Sequence, residues 1–135
     1  MTSQEKKAYL KQYLEAKDRF NDIMEEMARI RSDAERITPI ITDMPGGAQI
    51  SDRIANAVER LTACADELER EAENMQQLMR EIRAAIGTVP DSIQRRLLLL
   101  RYIDGHTWEE IAVMMNYSYV HICRLHGKAL SEIML

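Results

Sequence analysis

The sequence predicts an all-α protein: a long antiparallel coiled-coil helical hairpin followed by a small three-helix domain of the helix-turn-helix kind. Three observations carry this. Two long stretches repeat apolar side chains at spacings that alternate between three and four, as a heptad seam requires. A connection rich in Pro and Gly separates them. The last 45 residues break into three short amphipathic segments, each opened by a residue suited to an N-cap.

Taken in order, Thr2 and Glu5 form a capping box, in which hydroxyl and carboxylate each satisfy a backbone N–H at the start of a helix. Tyr9, Tyr13, Ala16, Phe20, Ile23, Met27, Ile30, Ala34 and Ile37 make the seam of that first helix. Pro39 is expected to end it, since proline has no N–H and disfavours helical geometry at Thr38. From Thr38 to Ile50 the chain holds Pro45-Gly46-Gly47, too rich in turn residues for a helix, and Ile40, Ile41 and Met44 are expected to fold back onto one. Ser51 and Asp52 then cap a second helix with the seam Ile54, Val58, Leu61, Ala65, Leu68, Ala72, Met75, Met79, Ile82 and Ile86, closed by Gly87. Each helix is about 50 Å long at 1.5 Å per residue. Met24, Met27, Met75 and Met79 read as gap-filling core residues rather than a ligand set. Two helices alone bury only a narrow stripe, so residues 1–88 are expected to form a homodimer or higher oligomer, or to dock a partner.

Residues 89–135 form the second expected domain. Asp91 caps the segment DSIQRRLLLLRYID, with Ile93, Leu97, Leu100 and Ile103 on one side and Leu98 and Tyr102 adding to the core. Asp104-Gly105 turns the chain towards Thr107, which makes a capping box with Glu110 and starts a helix at Trp108. Trp108 is expected to anchor the core, and His106 to be a loop residue. Ile111, Ala112 and Met115 face inward, and Asn116 tolerates the left-handed backbone of a helix end. Ser118 caps a last helix in which Ile122, Leu125 and Ala129 face inward while Tyr119, Val120, His121, Cys123, Arg124 and Lys128 lie elsewhere on the wheel. Small Ala112 lets the last two helices cross closely. The arrangement has the spacing of a helix-turn-helix, whose second helix enters the major groove of DNA.

Composition limits the alternatives. The chain is 46% hydrophobic and 30% charged with three prolines, which suits packed helices rather than disorder. There is no run of about 18 apolar residues and no signal-like apolar core near the start, so a cytoplasmic protein without membrane insertion is expected. Cys64 and Cys123 make no CxxC and need not pair. His121, Cys123 and His126 stand at i, i+2 and i+5, which do not converge on one helical face, so no metal is expected. Without a paired acid/base constellation, neither an enzyme nor a cofactor is expected. The net charge is −4. Residues 91–135 carry five Lys/Arg against five Asp/Glu, so the reading head is neutral and weak binding is expected of a monomer.

The stretch LLLLRYIDGHTWEEIAVMMNYSYVHICRLHGKAL resembles region 4 of bacterial sigma-70-type factors, the helix-turn-helix that recognises the promoter −35 element. The Leu-Leu-Leu-Arg-Tyr run, the Gly before the capped helix, Glu109-Glu110-Ile111-Ala112 and Lys128-Ala129-Leu130 carry the likeness, over about residues 91–133. A helical extension ahead of such a domain is also similar to small regulators of phages and prophages of Gram-positive bacteria. The resemblance implies DNA contacts early in the last helix. The candidate contacts are Ser118, Tyr119, Val120, His121, Cys123, Arg124 and Lys128, with Arg95, Arg96 and Arg101 from the helix that Asp91 caps. Several of these places often hold Arg, Glu or Gln in sigma factors, which argues against the usual −35 sequence as the target. Residues 1–90 lack the aromatic and basic helices that open the −10 region, so a complete initiation factor is not expected. The expected function is a sequence-specific, phage-derived transcription regulator that binds double-stranded DNA, with RNA polymerase as a further partner. The alternatives are a coiled-coil adaptor that binds polymerase or another regulator without reading DNA, and a small phage DNA-packaging subunit.

Overall fold

A computed structural model describes residues 1–37 and 47–135. They form five helices, α1 (Ser3–Ile37), α2 (Gly47–Ile86), α3 (Ser92–Tyr102), α4 (Trp108–Met115) and α5 (Tyr119–Glu132), with no strand among the described residues. The expectations for Thr38, Pro39, Ile40, Ile41, Met44, Pro45 and Gly46 lie outside those residues.

Both arms of the first capping box form: the Thr2 N–H donates to Glu5 Oε2 at 3.0 Å and the Glu5 N–H to Thr2 Oγ1 at 3.2 Å. The start of α2 corrects the expectation. It begins at Gly47, so Ser51 and Asp52 lie inside the helix and do not cap it. Ala48 and Gln49 are good helix formers, and a first turn tolerates glycine because its N–H groups have no intrahelical partner to lose.

Contacts divide the chain into residues 17–73 and a second unit made of residues 1–16 with 74–135. Within residues 17–73, α1 and α2 run antiparallel. Arg19 meets Glu71 at 3.2 Å, and Arg60 and Arg29 share Glu26 at 2.9 and 2.7 Å. These pairs hold the Glu26 carboxyl below its usual range, with the Arg29 hydrogen bond the largest cause. All are exposed enough to add little stability. The apolar seam does the holding, with Ile30 buried. Two expected α2 positions differ: Val58 is 56% exposed and Ala65 is exposed, while Ala57 and Cys64 turn inward. The half-buried stripe steps 54, 57, 61, 64, 68, a regular alternation of three and four that the apolar residues at 58 and 65 interrupt in sequence. Met24, expected in the core, is 48% exposed, whereas Met27, Met75 and Met79 are half-buried.

In the other unit, α3, α4 and α5 each pack on the other two. Leu97, Leu98, Tyr102, Ile111, Ile122 and Leu130 share one core with Leu10 and Tyr13 of α1 and Ile82 and Ile86 of α2. Ile93, expected inside, is exposed, and Gln94 is buried instead. The buried arc of α3 lies one step further round the helix, which leaves Ile93 at its edge in the first turn. Lys6 of α1 donates to the carbonyls of Leu130 and Ile133, at 2.7 and 3.3 Å. A cation there satisfies the orphan oxygens and the negative dipole end of α5.

Candidate nucleic-acid interface

Three capped starts and two left-handed residues set the geometry of α3 to α5. Asp91 accepts from the Ile93 N–H at 2.8 Å to open α3. Gly105, at φ +76°, reverses the chain after it, a conformation that costs glycine little. Thr107 Oγ1 accepts from the Glu110 N–H at 3.2 Å and opens α4 at Trp108, as expected. The Glu110 carboxylate takes the His106 ring at 2.8 Å and the Thr107 hydroxyl at 3.2 Å, which hold its pKa below the usual range, the His106 bond most strongly. Replacing Thr107 with alanine is expected to lower stability by about 1 kcal/mol, read from the denaturation midpoint; an unchanged midpoint would show that the cap is not needed.

Asn116 ends α4 at φ 58°, ψ 44°, and the Tyr117 N–H donates to the Ala112 carbonyl at 3.0 Å. Asparagine adopts this left-handed geometry more readily than most residues. Ser118 then opens α5 by accepting from the His121 N–H at 3.2 Å. The turn is therefore closed from both sides, and the register of α5 is fixed by local chemistry.

On that helix Ile122, His126, Ala129 and Leu130 are buried. Tyr119, Val120, His121, Cys123, Arg124 and Lys128 are all exposed, with Ser118 exposed at the cap. The seven candidates on this segment thus share one open surface. Tyr117 meets the His121 ring edge-on at 4.6 Å and steadies it. The α3 arginines differ among themselves. Arg96 is exposed. Arg95 donates to the Val89 and Pro90 carbonyls at 2.7 and 2.8 Å, bracing the entry to α3. Arg101 donates to the His106 carbonyl at 3.1 Å and lies 4.4 Å over the Trp108 ring, a cation–π contact.

Trp108 is half-buried and packs against the core, its ring 4.5 Å from that of His126. His126 in turn shares a 2.7 Å hydrogen bond with the Tyr102 hydroxyl. Burial chiefly, then Lys7, Arg101 and Lys11, push the His126 pKa down to about 4. Burial also pushes Tyr102 up to about 12. Both groups stay neutral at physiological pH and form a structural polar pair under the interface. Sequence reasoning did not find it, because His126 follows Leu125 on the wheel and its partner lies 24 residues away.

Charge also reads differently once packing is known. The unit carrying α3 to α5 has ten Lys/Arg and eight Asp/Glu, net +2, while residues 17–73 have eight against fourteen, net −6. Lys6, Lys7 and Lys11 from the start of α1, and Arg80 and Arg83 from the end of α2, join the helix-turn-helix. The reading head taken alone is neutral, but the body it folds with is basic. Lys7 and Lys11 line a cleft with Cys123 and Gly127 of α5; their i, i+4 spacing beside Leu10 and Leu14, an apolar pair outside the seam, is the signal that marks a second buried flank.

No curated protein and no solved structure matches the chain. Residues 91–133, the segment that folds into α3, α4 and α5, match the family model for sigma-70, region 4, and so constitute a region 4-like helix-turn-helix of the DNA-binding kind.

Proposed function

We propose that the protein is a sequence-specific DNA-binding transcription regulator of phage origin, in which α5 reads the major groove. The observation that carries this is the open face of α5, from Tyr119 to Lys128, held in register by the Asn116 turn and the Ser118 cap within the region 4-like segment. Arg124 is the residue assigned to a guanine edge, and Tyr119 and His121 to a phosphate or a thymine methyl. Ser118, Val120, Cys123 and Lys128 complete the contact surface, with Arg96 and Arg101 as flanking phosphate contacts. Arg95, which braces the chain before α3, is the weakest of the candidates for a direct contact.

Residues 1–88 supply self-association, and residues 17–73, which form a unit of their own, are the part not committed to the reading head. Dimerisation doubles a small phosphate footprint. The test is selection from random duplexes at low salt, followed by sequencing. An enriched motif supports the reading, and Arg124→Ala is expected to weaken binding to that site about tenfold and to relax preference at one position. Equal binding by wild type and variant would remove Arg124 from its role. Absence of any enriched motif would sink the sequence-specific reading.

A second reading draws on α4, where Val113 is 82% and Met114 45% exposed. Apolar residues on the outer face of that helix suit contact with RNA polymerase or another regulator. Binding to polymerase without selection of any duplex would favour this adaptor. A closed ring in solution, rather than a dimer, would favour a packaging subunit.

A further inference from the structure

We propose that the cleft between the start of α1 and the side of α5 is a phosphate site for the DNA backbone, with Lys7, Lys11 and Arg101 as its cations. This rests on the DNA-reading role above, and adds residues that lie outside the region 4-like segment.

The cleft encloses about 440 Å³ and is lined by Lys7 and Lys11 of α1, Arg101 of α3, Trp108 of α4, and Cys123 and Gly127 of α5. Lys7 and Lys11 are four residues apart, so both amines project from one face of α1. Neither forms an ion pair among the described residues. Arg101 is held in place by the His106 carbonyl and the Trp108 ring, neither of which neutralises its charge. All three cations line the same cleft as the buried His126 imidazole, and each helps keep that ring uncharged. Three like charges around one concavity repel one another, and a bound anion relieves that repulsion.

The position of the cleft selects the anion. Cys123 and Gly127 form its α5 wall, and the same helix presents Val120 and Arg124 on its exposed surface. A helix lying in the major groove has the sugar-phosphate strand along its flank, where contacts fix orientation without reading sequence. Gly127 adds no side chain to that wall, and a Cβ placed there would meet nothing within 4 Å, so the backbone of α5 is open to the cleft at this point.

The test is titration of the selected duplex against the whole chain at several salt concentrations. Lys7→Gln/Lys11→Gln is expected to bind about tenfold more weakly near 0.1 M salt and to lower the slope of log affinity against log salt by about 1–2. Its preferred sequence should not change, in contrast to Arg124→Ala. Gly127→Glu adds a carboxylate on the lining of the cleft at a position where the Cβ meets nothing within 4 Å, raises helix propensity and should weaken binding at least as much. Lys17→Gln, which removes one charge from α1 within the other unit, should bind as wild type.

Wild-type affinity and slope in both cleft variants would overturn the site while leaving the DNA reading intact. Failure of the wild type to select any duplex would overturn both. Inorganic phosphate, titrated against the fluorescence of Trp108, the single tryptophan of the chain, separates the remaining source. A saturable signal lost in Lys7→Gln/Lys11→Gln, with duplex binding unaffected in that variant, would assign the cleft to a free phosphate compound and overturn the backbone assignment.

Discussion

Leu10→Ala is expected to lower the free energy of unfolding by about 3 kcal/mol, although Leu10 lies far in sequence from the helix-turn-helix whose core it completes. Its side chain is fully buried and belongs to one apolar cluster with Leu97, Leu98, Ile111, Ile122 and Leu130. Removing its outer carbons loses their transfer free energy and leaves a void that a packed helical core closes only in part. The same reasoning predicts that residues 89–135 do not fold alone. The segment is shorter than the roughly 60 residues at which a domain is already marginal, because it buries a small share of its surface, and it would also lose the cover of Leu10, Tyr13, Ile82 and Ile86. Urea denaturation of the full chain and circular dichroism of the fragment check both points. A cooperative melting transition in the fragment would show that the α1 contacts are dispensable.

Acidification is expected to destabilise the same unit through His126. Its folded pKa of about 4 lies below its ordinary value of 6.5, so the unfolded chain binds the proton first. Stability from the neutral imidazole is therefore complete above pH 6.5 and is lost as the pH falls from 6.5 to 4, by about 2–3 kcal/mol. The groups that face the ring are the Tyr102 hydroxyl, the Trp108 ring and the cations Lys7, Lys11 and Arg101. None of them carries the negative charge that would offset an imidazolium. His126→Gln keeps a polar partner for Tyr102 and removes the titration, so its stability should vary less over this window. Denaturation midpoints near pH 7.5 and 4.5 for both proteins decide it. Parallel losses in wild type and variant would place the acid sensitivity elsewhere.

Much of the architecture was legible because local chemistry dictates it. Thr2 with Glu5, Asp91, Thr107, Asn116 and Ser118 each solve a hydrogen-bonding problem at a helix end within a few residues, and each does in the structure what its type and spacing imply. The failures have two physical origins. Val58 and Ala65 are apolar yet face solvent, because the inward stripe is set by which side of α2 meets α1, and hydrophobicity at two adjacent positions cannot choose between them. The start of α2 was misplaced because Ser and Asp are N-cap residues that a helix already begun can carry on its surface.

The stretch from Thr107 to Leu130 was thus readable as two helices with an exposed face, and its likeness to region 4 followed from the residues alone. What only the tertiary structure decided is the company this stretch keeps. Leu10 completes its core, Tyr102 reaches His126, and Lys7 and Lys11 stand beside α5. These pairings span 24 residues or more, and no capping rule or periodicity reaches that far. Charge summed along the chain left the reading head neutral; charge summed over the unit that packs around it is net +2. The difference arises because electrostatic potential depends on distance in space, and folding brings the start of the chain to its end.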